Sequence, residues 1–153
     1  IPDSFEIARK MGLSYSFGIA NLTSAHPNSV VLEVKGKSGR TLEVQACSLG
    51  GGRIMINRLD GLDVNCSCEI PTLIVHNLDQ PGHVAEVTSM LAHKSVNIAN
   101  MSLYRDKRGG SAVMVVEMDQ PLPKESLEWL EHLEGIVKVT YINVTEGEED
   151  DVL

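Results

Sequence analysis

The feature that most constrains the fold of this 153-residue chain is the order of the apolar patterns that follow Pro71. Short apolar runs, which are typical of buried strands, alternate here with two segments whose apolar residues recur at helical spacing. The first helical segment follows the turn sequence Asp79-Gln-Pro-Gly82, and the second follows Pro121 and Pro123. The pattern therefore predicts two helices among four strands. The expected strands span residues 72–76, 96–103, 112–116 and 137–142, and the expected helices span 84–94 and 123–134.

The resulting order, β-α-β-β-α-β, predicts an α+β fold of the ferredoxin-like type over residues 70–144. Four antiparallel strands would form one sheet, and both helices would cover the same face of it. In that arrangement the strands lie in the order 4-1-3-2, so the outer strands are open to pairing with a second copy of the chain. Residues 106–110, which are polar and rich in glycine, predict the hairpin between the second and third strands.

Residues 1–69 predict a separate, strand-rich α+β domain that precedes this one. Apolar and β-branched runs in this part are broken by glycine-containing turns. Pro71 marks the expected boundary, because the composition changes there and the second pattern begins. The expected elements are a short helix at 5–11 and strands at 15–19, 29–35, 41–47, 54–59 and 63–68.

The net charge of -8, from 13 Lys+Arg against 21 Asp+Glu, is concentrated at the end of the chain. Five acids lie within residues 145–153, which predicts an acidic, disordered tail. A negative balance argues against nucleic acid as a partner, and no apolar stretch approaches the ~20 residues of a membrane span.

Three cysteines are too few for a disulfide framework and no leader is evident, so the expected location is the reducing cytoplasm.

The turn at residues 77–82, between the first strand and the first helix of the second domain, is one candidate site. The free N–H groups at the start of a helix favour an anion such as the carboxylate of an amino acid, and Gly82 lets a ligand approach the backbone. Asp79 is suited to an ammonium group, whereas Asn77 or Asn97 is suited to a small polar side chain. The alternative is a plain capped turn with Asp79 as the N-cap.

The triple glycine Gly50-Gly51-Gly52, followed by Arg53, is a second candidate site. It matches neither the phosphate-loop motif nor GxGxxG, because Met55 stands where the last glycine of GxGxxG should be. One interpretation is an anion-binding bend in which Arg53 supplies the counter-charge and His26 and Asn28 assist. The other interpretation is a strand bulge or corner that needs small residues.

Metal binding and nucleophilic catalysis have little support in the sequence. Cys66 and Cys68 are spaced more tightly than the usual zinc ligands, and His76 is a third candidate without an obvious fourth. With Cys47 the cysteines number three, one short of an all-cysteine iron–sulfur site. No GxSxG or HExxH motif is present. We therefore expect no metal site and no catalytic residue on this chain.

Several of these motifs together resemble those of a known family. The motifs of the second half are Pro71–His76, Asp79-x-Pro-Gly82, Val84–Thr88, Asn97-Ile-Ala99 and Arg105–Gly110, and those of the first half are His26-Pro-Asn28 and Ser48–Gly52. Through these motifs the second half resembles an ACT domain, and residues 1–69 are similar to part of an allosteric substrate-binding (ASB) domain. The pairing of the two resembles the beta chain of bacterial iron–sulfur L-serine dehydratase (L-serine ammonia-lyase).

The resemblance implies a regulatory and assembly subunit of an enzyme that converts L-serine to pyruvate and ammonia. Its 4Fe-4S cluster would lie on a separate alpha chain, so the cysteines here would not be cluster ligands. The chain would form a homodimer through its ACT domains and bind a small amino acid such as L-serine. The implied effector-binding residues are Asn77, Asp79, Pro81, Gly82, His83 and Asn97 in the ACT domain, and His26, Asn28, Ser48, Gly50, Gly51, Gly52 and Arg53 in the ASB domain.

Two alternatives stay open at the level of sequence. The chain is also similar to the ASB–ACT regulatory portion of a D-3-phosphoglycerate dehydrogenase, which would require a dinucleotide-binding domain upstream. A member of a different class, a module that only dimerises through its sheet edges, would bind no ligand at all.

Overall fold

A computed structural model describes residues 2–23 and 25–143. It has one short helix before the first sheet and two helices within the second half. The acidic tail expected at 145–153 lies outside the described residues. The helices are α1 (Ser4–Lys10), α2 (His83–His93) and α3 (Lys124–Glu131), and the strands are β1 (Ser29–Lys35), β2 (Thr41–Gly50), β3 (Arg53–Leu59), β4 (Leu62–Cys66), β5 (Thr72–Leu78), β6 (Ile98–Arg105), β7 (Ser111–Met118) and β8 (Ile136–Ile142).

The second sheet has the order β6-β7-β5-β8, with every neighbouring pair antiparallel. Counted along the chain, these strands are the second, third, first and fourth of the domain. The order is therefore the expected 4-1-3-2 arrangement viewed from its other edge. The ferredoxin-like α+β prediction is confirmed.

Both faces of the second sheet are covered. Leu73 and Val75 of β5 pack with Val87 and Leu91 of α2, and the intervening Ile74 packs on the opposite side against the first sheet. A strand buried on both faces needs apolar residues at successive positions, which is why β5 and β7 have continuous apolar runs instead of alternation. The molecule therefore has three layers: the helices, the second sheet and the first sheet.

The first sheet is an antiparallel meander in the order β1-β2-β3-β4. Its inner face contributes Ile56 and Leu59 of β3 and Val64 of β4 to a core that it shares with Ile74 and Val113 of the second sheet. The two halves of the chain consequently share one apolar interface. Because apolar area removed from water stabilises the fold by about 25 cal/mol per Å², this interface holds the two sheets together.

The strand expected at residues 15–19 is wrong. The segment is extended but pairs with no strand of the described chain, and instead its rings pack on α1. The Phe5 and Tyr15 ring centroids lie 5.2 Å apart, and those of Phe5 and Phe17 lie 5.8 Å apart. Alternating apolar residues suit a strand, but they form one only where a neighbouring strand accepts their backbone hydrogen bonds.

Candidate functional site

The turn between β5 and α2 is held by backbone hydrogen bonds to two other turns. The N–H of Leu78 donates to the carbonyl of Gly135 at 2.9 Å, and the N–H of Asp79 donates to the carbonyl of Gly110 at 2.9 Å. Gly82, the residue before α2, has a φ of 111°, a conformation that L side chains rarely adopt. No side chain caps α2, and the N–H of Glu86 donates to the carbonyl of Gly82, so the N–H groups of the first turn that precede Glu86 are those available to an anion. The alternative in which Asp79 is the N-cap is wrong.

Asp79 connects this turn to the hairpin between β6 and β7. Its carboxylate accepts from the guanidinium of Arg105 at 3.1 Å and from the N–H of Gly109 at 2.9 Å. The Gly109 N–H hydrogen bond is the largest cause that lowers the pKa of Asp79; burial opposes it, and the hydrogen bond and charge of Arg105 with the charge of Arg108 add to the lowering. Asp79 is therefore ionised at neutral pH and fixes the position of the hairpin.

Asn77 and His83 are buried polar residues at the two ends of the same turn. The Asn77 amide donates to the carbonyl of Leu78 at 2.6 Å, whereas its Oδ1 has no hydrogen-bond partner among the described residues. The Nδ1 atom of His83 lies 3.2 Å from Glu86, and its Nε2 faces Gly135 without a hydrogen-bond partner in the described part of the chain. A buried polar atom without a partner is costly, so Asn77 Oδ1 has the capacity to accept from a ligand.

Asn97 lies at the other end of the sheet from this turn. It directly precedes β6, whose first residue Ile98 is paired with Met118, whereas the turn follows Leu78, which is paired with Ser111 at the opposite end of β7. Seven residues of strand at about 3.3 Å each separate the two ends by roughly 20 Å. The expectation that Asn97 faces the turn is therefore wrong within one chain. Its amide instead donates to Asp119 at 2.6 Å.

Arg105 and Gly109 contact this turn through Asp79, although neither was among the predicted site residues. In the order 4-1-3-2, β5 and β6 are both antiparallel to β7 and run in the same direction. The connection after β6 must therefore lie beside the connection after β5. The predicted topology together with the hairpin at 106–110 was the signal that would have found them.

The triple glycine forms the tight turn between β2 and β3. Gly50, Gly51 and Gly52 have φ values of 83°, 63° and 79°, and the pairing shifts register between Ser48 and Gly50. Three successive positive φ values require glycine, so the turn geometry agrees with the bulge-or-corner interpretation. Arg53 opens β3 opposite Gly50 and is exposed.

The His26-Pro-Asn28 segment lies beside this hairpin. The N–H of Ser48 donates to the carbonyl of Asn28 at 2.9 Å, and the N–H of Asn28 donates to Nδ1 of His26 at 3.2 Å. The structure thus brings the motifs of the second candidate site together at the end of β2. Their side chains are exposed, and their backbone contacts serve the sheet.

A polar cluster of Asp60, His76 and Lys138 joins the two sheets. The Asp60 carboxylate, at the turn between β3 and β4, lies 2.5 Å from Nζ of Lys138 on β8 and 3.5 Å from Nε2 of His76 on β5. Lys138 also donates to the carbonyl of Thr41 at 2.7 Å. Burial favours a higher pKa for Asp60, but the hydrogen bonds from Lys138 and from the N–H of Glu43 outweigh it and lower that pKa.

The pKa of His76 lies below its usual value. Burial of the ring is the largest cause, the charge of Asp60 opposes it, and the charges of Lys138 and Arg40 add to the lowering. When the pKa of a histidine is lower in the folded state than in the unfolded state, the unfolded state binds the proton first as the pH falls. The contribution of that histidine to the free energy of unfolding is therefore complete above its unfolded-state pKa of about 6.5 and is lost as the pH falls below that value.

We therefore expect the free energy of unfolding to decrease between about pH 7.5 and pH 5 more steeply in the native chain than in His76→Gln. Urea denaturation at several pH values measures this difference, and the other four histidines are common to both chains. Equal slopes would show that His76 does not titrate with folding.

In the described part of the chain, no group of three or more His, Cys, Asp or Glu side chains converges as a metal site would need. Cys66 and Cys68 are in contact, but this donor set does not fit an iron–sulfur cluster. Within residues 2–23 and 25–143, no helix has the length and apolarity to cross a membrane.

The second half of the chain matches a known domain family, and the chain has relatives among known proteins. Residues 71–134 match the ACT domain family, so this part of the chain is an ACT domain. The whole chain is similar to L-serine dehydratase beta chains, as its motifs indicated. It is 32% identical over 142 residues to a probable L-serine dehydratase beta chain of Bacillus subtilis (strain 168), which covers 93% of this chain and 64% of the relative.

Two further relatives are also similar to this chain over most of its length. The L-serine dehydratase beta chain of Peptoniphilus asaccharolyticus is 29% identical over 145 residues, which is 94% of this chain and 65% of the relative. The D-3-phosphoglycerate dehydrogenase of Bacillus subtilis (strain 168) is 25% identical over 139 residues, which is 90% of this chain and 26% of that enzyme. The chain thus spans slightly less than two thirds of the beta chains that it matches.

Proposed function

We propose that this chain is the regulatory and assembly part of an L-serine dehydratase beta subunit. Similarity to two beta chains over more than nine tenths of the chain supports this proposal, as does the ACT domain at 71–134. The proposed partner is a separate alpha chain that carries the 4Fe-4S cluster and the catalytic residues. Co-expression with such an alpha chain should give a complex that co-elutes, and an alpha chain that is fully active and never associates would contradict the assignment.

The β5–α2 turn is the proposed effector site, and its ligand is a small amino acid such as L-serine. The observation that carries the proposal is the uncapped start of α2 next to Asn77, whose Oδ1 is buried without a hydrogen-bond partner in the described chain. The carboxylate of the amino acid would accept from the helix N–H groups. Asp79, which is ionised, would attract the ammonium group while it holds the hairpin through Arg105 and Gly109.

Isothermal titration of the folded chain with L-serine tests this site. We expect saturable binding that Asn77→Ala weakens about tenfold, which corresponds to one hydrogen bond of about 1.4 kcal/mol. Asp79→Ala should weaken it further, because the variant removes a charge and releases the hairpin. Asn97→Ala is the matched control, since the same residue type at the other end of the sheet should leave binding unchanged.

Three results would count against the effector site. The effector site would be contradicted if the folded wild-type chain gave no saturable heat of binding with L-serine or related amino acids. Equal losses in Asn77→Ala and Asn97→Ala would show that the effect is not local to the turn. Circular dichroism of each variant separates loss of binding from loss of folding, because Asn77 is buried.

The second candidate function is the regulatory portion of a D-3-phosphoglycerate dehydrogenase, which the similarity over 90% of this chain favours. The region upstream in the native gene decides between the two, because that enzyme needs a dinucleotide-binding domain with GxGxxG. A dimerisation module without ligand is the third possibility. It would give a dimer by light scattering, through the open edges of β6 or β8, and a flat titration with amino acids.

A further inference from the structure

Cys66 and Cys68 form a contact pair at the connection between the two sheets. Cys66 is the last residue of β4, and Cys68 lies two residues further along, before β5 begins at Thr72. Their Sγ atoms are 3.1 Å apart, and the two residues are 2% and 6% exposed. Alternate side chains of a regular strand are separated by about 6.6 Å along its axis, so the contact depends on the irregular backbone that follows β4.

The backbone at Cys68 produces this contact. Its φ of 54° is in the left-handed region, which residues other than glycine rarely occupy. This backbone conformation departs from that of an extended strand, so the second sulfur lies against the first instead of further along the strand. A conformation that costs free energy and brings two thiols together is consistent with a function of the pair.

The surroundings of the pair shift the pKa values of the two thiols in opposite directions. The hydrogen bond between the two sulfurs lowers the pKa of Cys66, although burial and the charge of Glu117 oppose it. The same hydrogen bond, together with burial, raises the pKa of Cys68. Cys66 is therefore the nucleophile of the pair, because the thiolate is the reactive form of cysteine. Ile74, Val113 and Val115 of the second sheet complete the mostly apolar environment.

We propose that Cys66 and Cys68 are a reversible dithiol–disulfide redox site whose oxidant is a small peroxide. The Cys66 thiolate attacks one peroxide oxygen and the O–O bond breaks, which gives a sulfenic acid and water once the proton is supplied. Cys68 then attacks the Cys66 sulfur, the S–O bond breaks and a second water leaves. Two thiols and one peroxide thus become one disulfide and two waters, and the sulfurs lose two electrons.

Burial determines which oxidants reach the two thiols, and the short loop between them determines how little a disulfide would stabilise the fold. Since both thiols are nearly inaccessible, a peroxide reaches them more readily than a bulky disulfide such as oxidised glutathione. The bond would enclose only Ser67, so it would remove little entropy from the unfolded chain and would not act as a structural staple. Bond formation needs the sulfurs to approach from 3.1 Å to about 2.05 Å, which is a local adjustment of the connection between the sheets.

The test is oxidation of the reduced full chain with hydrogen peroxide, followed by denaturation, thiol counting and mass analysis of peptides. The native chain should go from three free thiols to one, and the peptide with Cys66 and Cys68 should lose the mass of two hydrogen atoms. Dithiothreitol should restore all three thiols. Cys47→Ser is the matched control, because Cys47 is also buried but lies in β2, and this variant should go from two thiols to none.

Several results would overturn the proposal. These are retention of all three thiols, a disulfide that includes Cys47, a disulfide between two chains, or addition of oxygen to Cys66 without loss of the two hydrogens. Cys66→Ser and Cys68→Ser should each abolish the intramolecular disulfide. The peptide mass of the native chain tests the proposal even if these variants do not fold.

Discussion

Replacing Ile74 by alanine is expected to lower the free energy of unfolding by about 2–5 kcal/mol. Ile74 is 1% exposed and lies on the face of β5 that packs against the first sheet. Its truncation leaves a cavity between two sheets, each of which is fixed by its own hydrogen bonds, so the site has little freedom to collapse. Urea denaturation followed by circular dichroism measures the change.

The same experiment shows whether the two sheets unfold together. Ile56, on the first sheet, contributes to the same core, so Ile56→Ala should shift the same single transition. Val137, which is 69% exposed on β8, is the control, and Val137→Ala should change the free energy by no more than about 0.5 kcal/mol. Two separate transitions, of which Ile74→Ala moves only one, would show that the shared core does not couple the halves.

Replacing Gly135 by alanine is expected to destabilise the chain through two effects. Gly135 has a φ of 80°, a conformation that costs other residues about 1–2 kcal/mol. An added Cβ would also lie 2.5 Å from Nε2 of His83, whose ring is buried, and this overpacking costs about 1–3 kcal/mol more. The combined loss of roughly 2–5 kcal/mol is measurable by thermal or urea denaturation.

Gly61→Ala separates the two effects of this substitution. Gly61 has a φ of 83°, close to that of Gly135, but a Cβ there meets no atom within 4 Å. We therefore expect only the backbone cost of about 1–2 kcal/mol at Gly61. Equal losses in the two variants would mean that the His83 ring moves aside freely. That outcome would contradict the fixed position of His83 at the β5–α2 turn.

The periodicity of the sequence was sufficient for the second half of the fold because local and tertiary preferences agree there. Continuous apolar runs at β5 and β7 indicated buried strands, and the glycines and prolines marked the turns. The segment around Tyr15 shows where the same reasoning fails. Its alternation is that of a strand, but pairing depends on a neighbouring strand, which a local pattern does not contain.

The candidate sites were predictable in part for the same reason. The turn at Gly82 and the triple glycine follow from local backbone chemistry, since only glycine adopts these conformations freely. The position of Asn97 relative to Asn77 is instead a property of strand direction. Only the sheet order shows that the two residues lie at opposite ends of the strands.

The sequence by itself determined the β-α-β-β-α-β order of the ACT domain and the location of its glycine turns, because hydrophobic spacing and glycine conformation act over a few residues. Tertiary structure alone decided which side chains meet across the chain. In the folded chain Arg105 and Gly109 donate hydrogen bonds to Asp79, and Lys138 donates to Asp60. The first sheet packs against Ile74. Tertiary structure also turned the backbone at Cys68 so that two thiols touch. These contacts depend on strand order and direction, which no single segment contains.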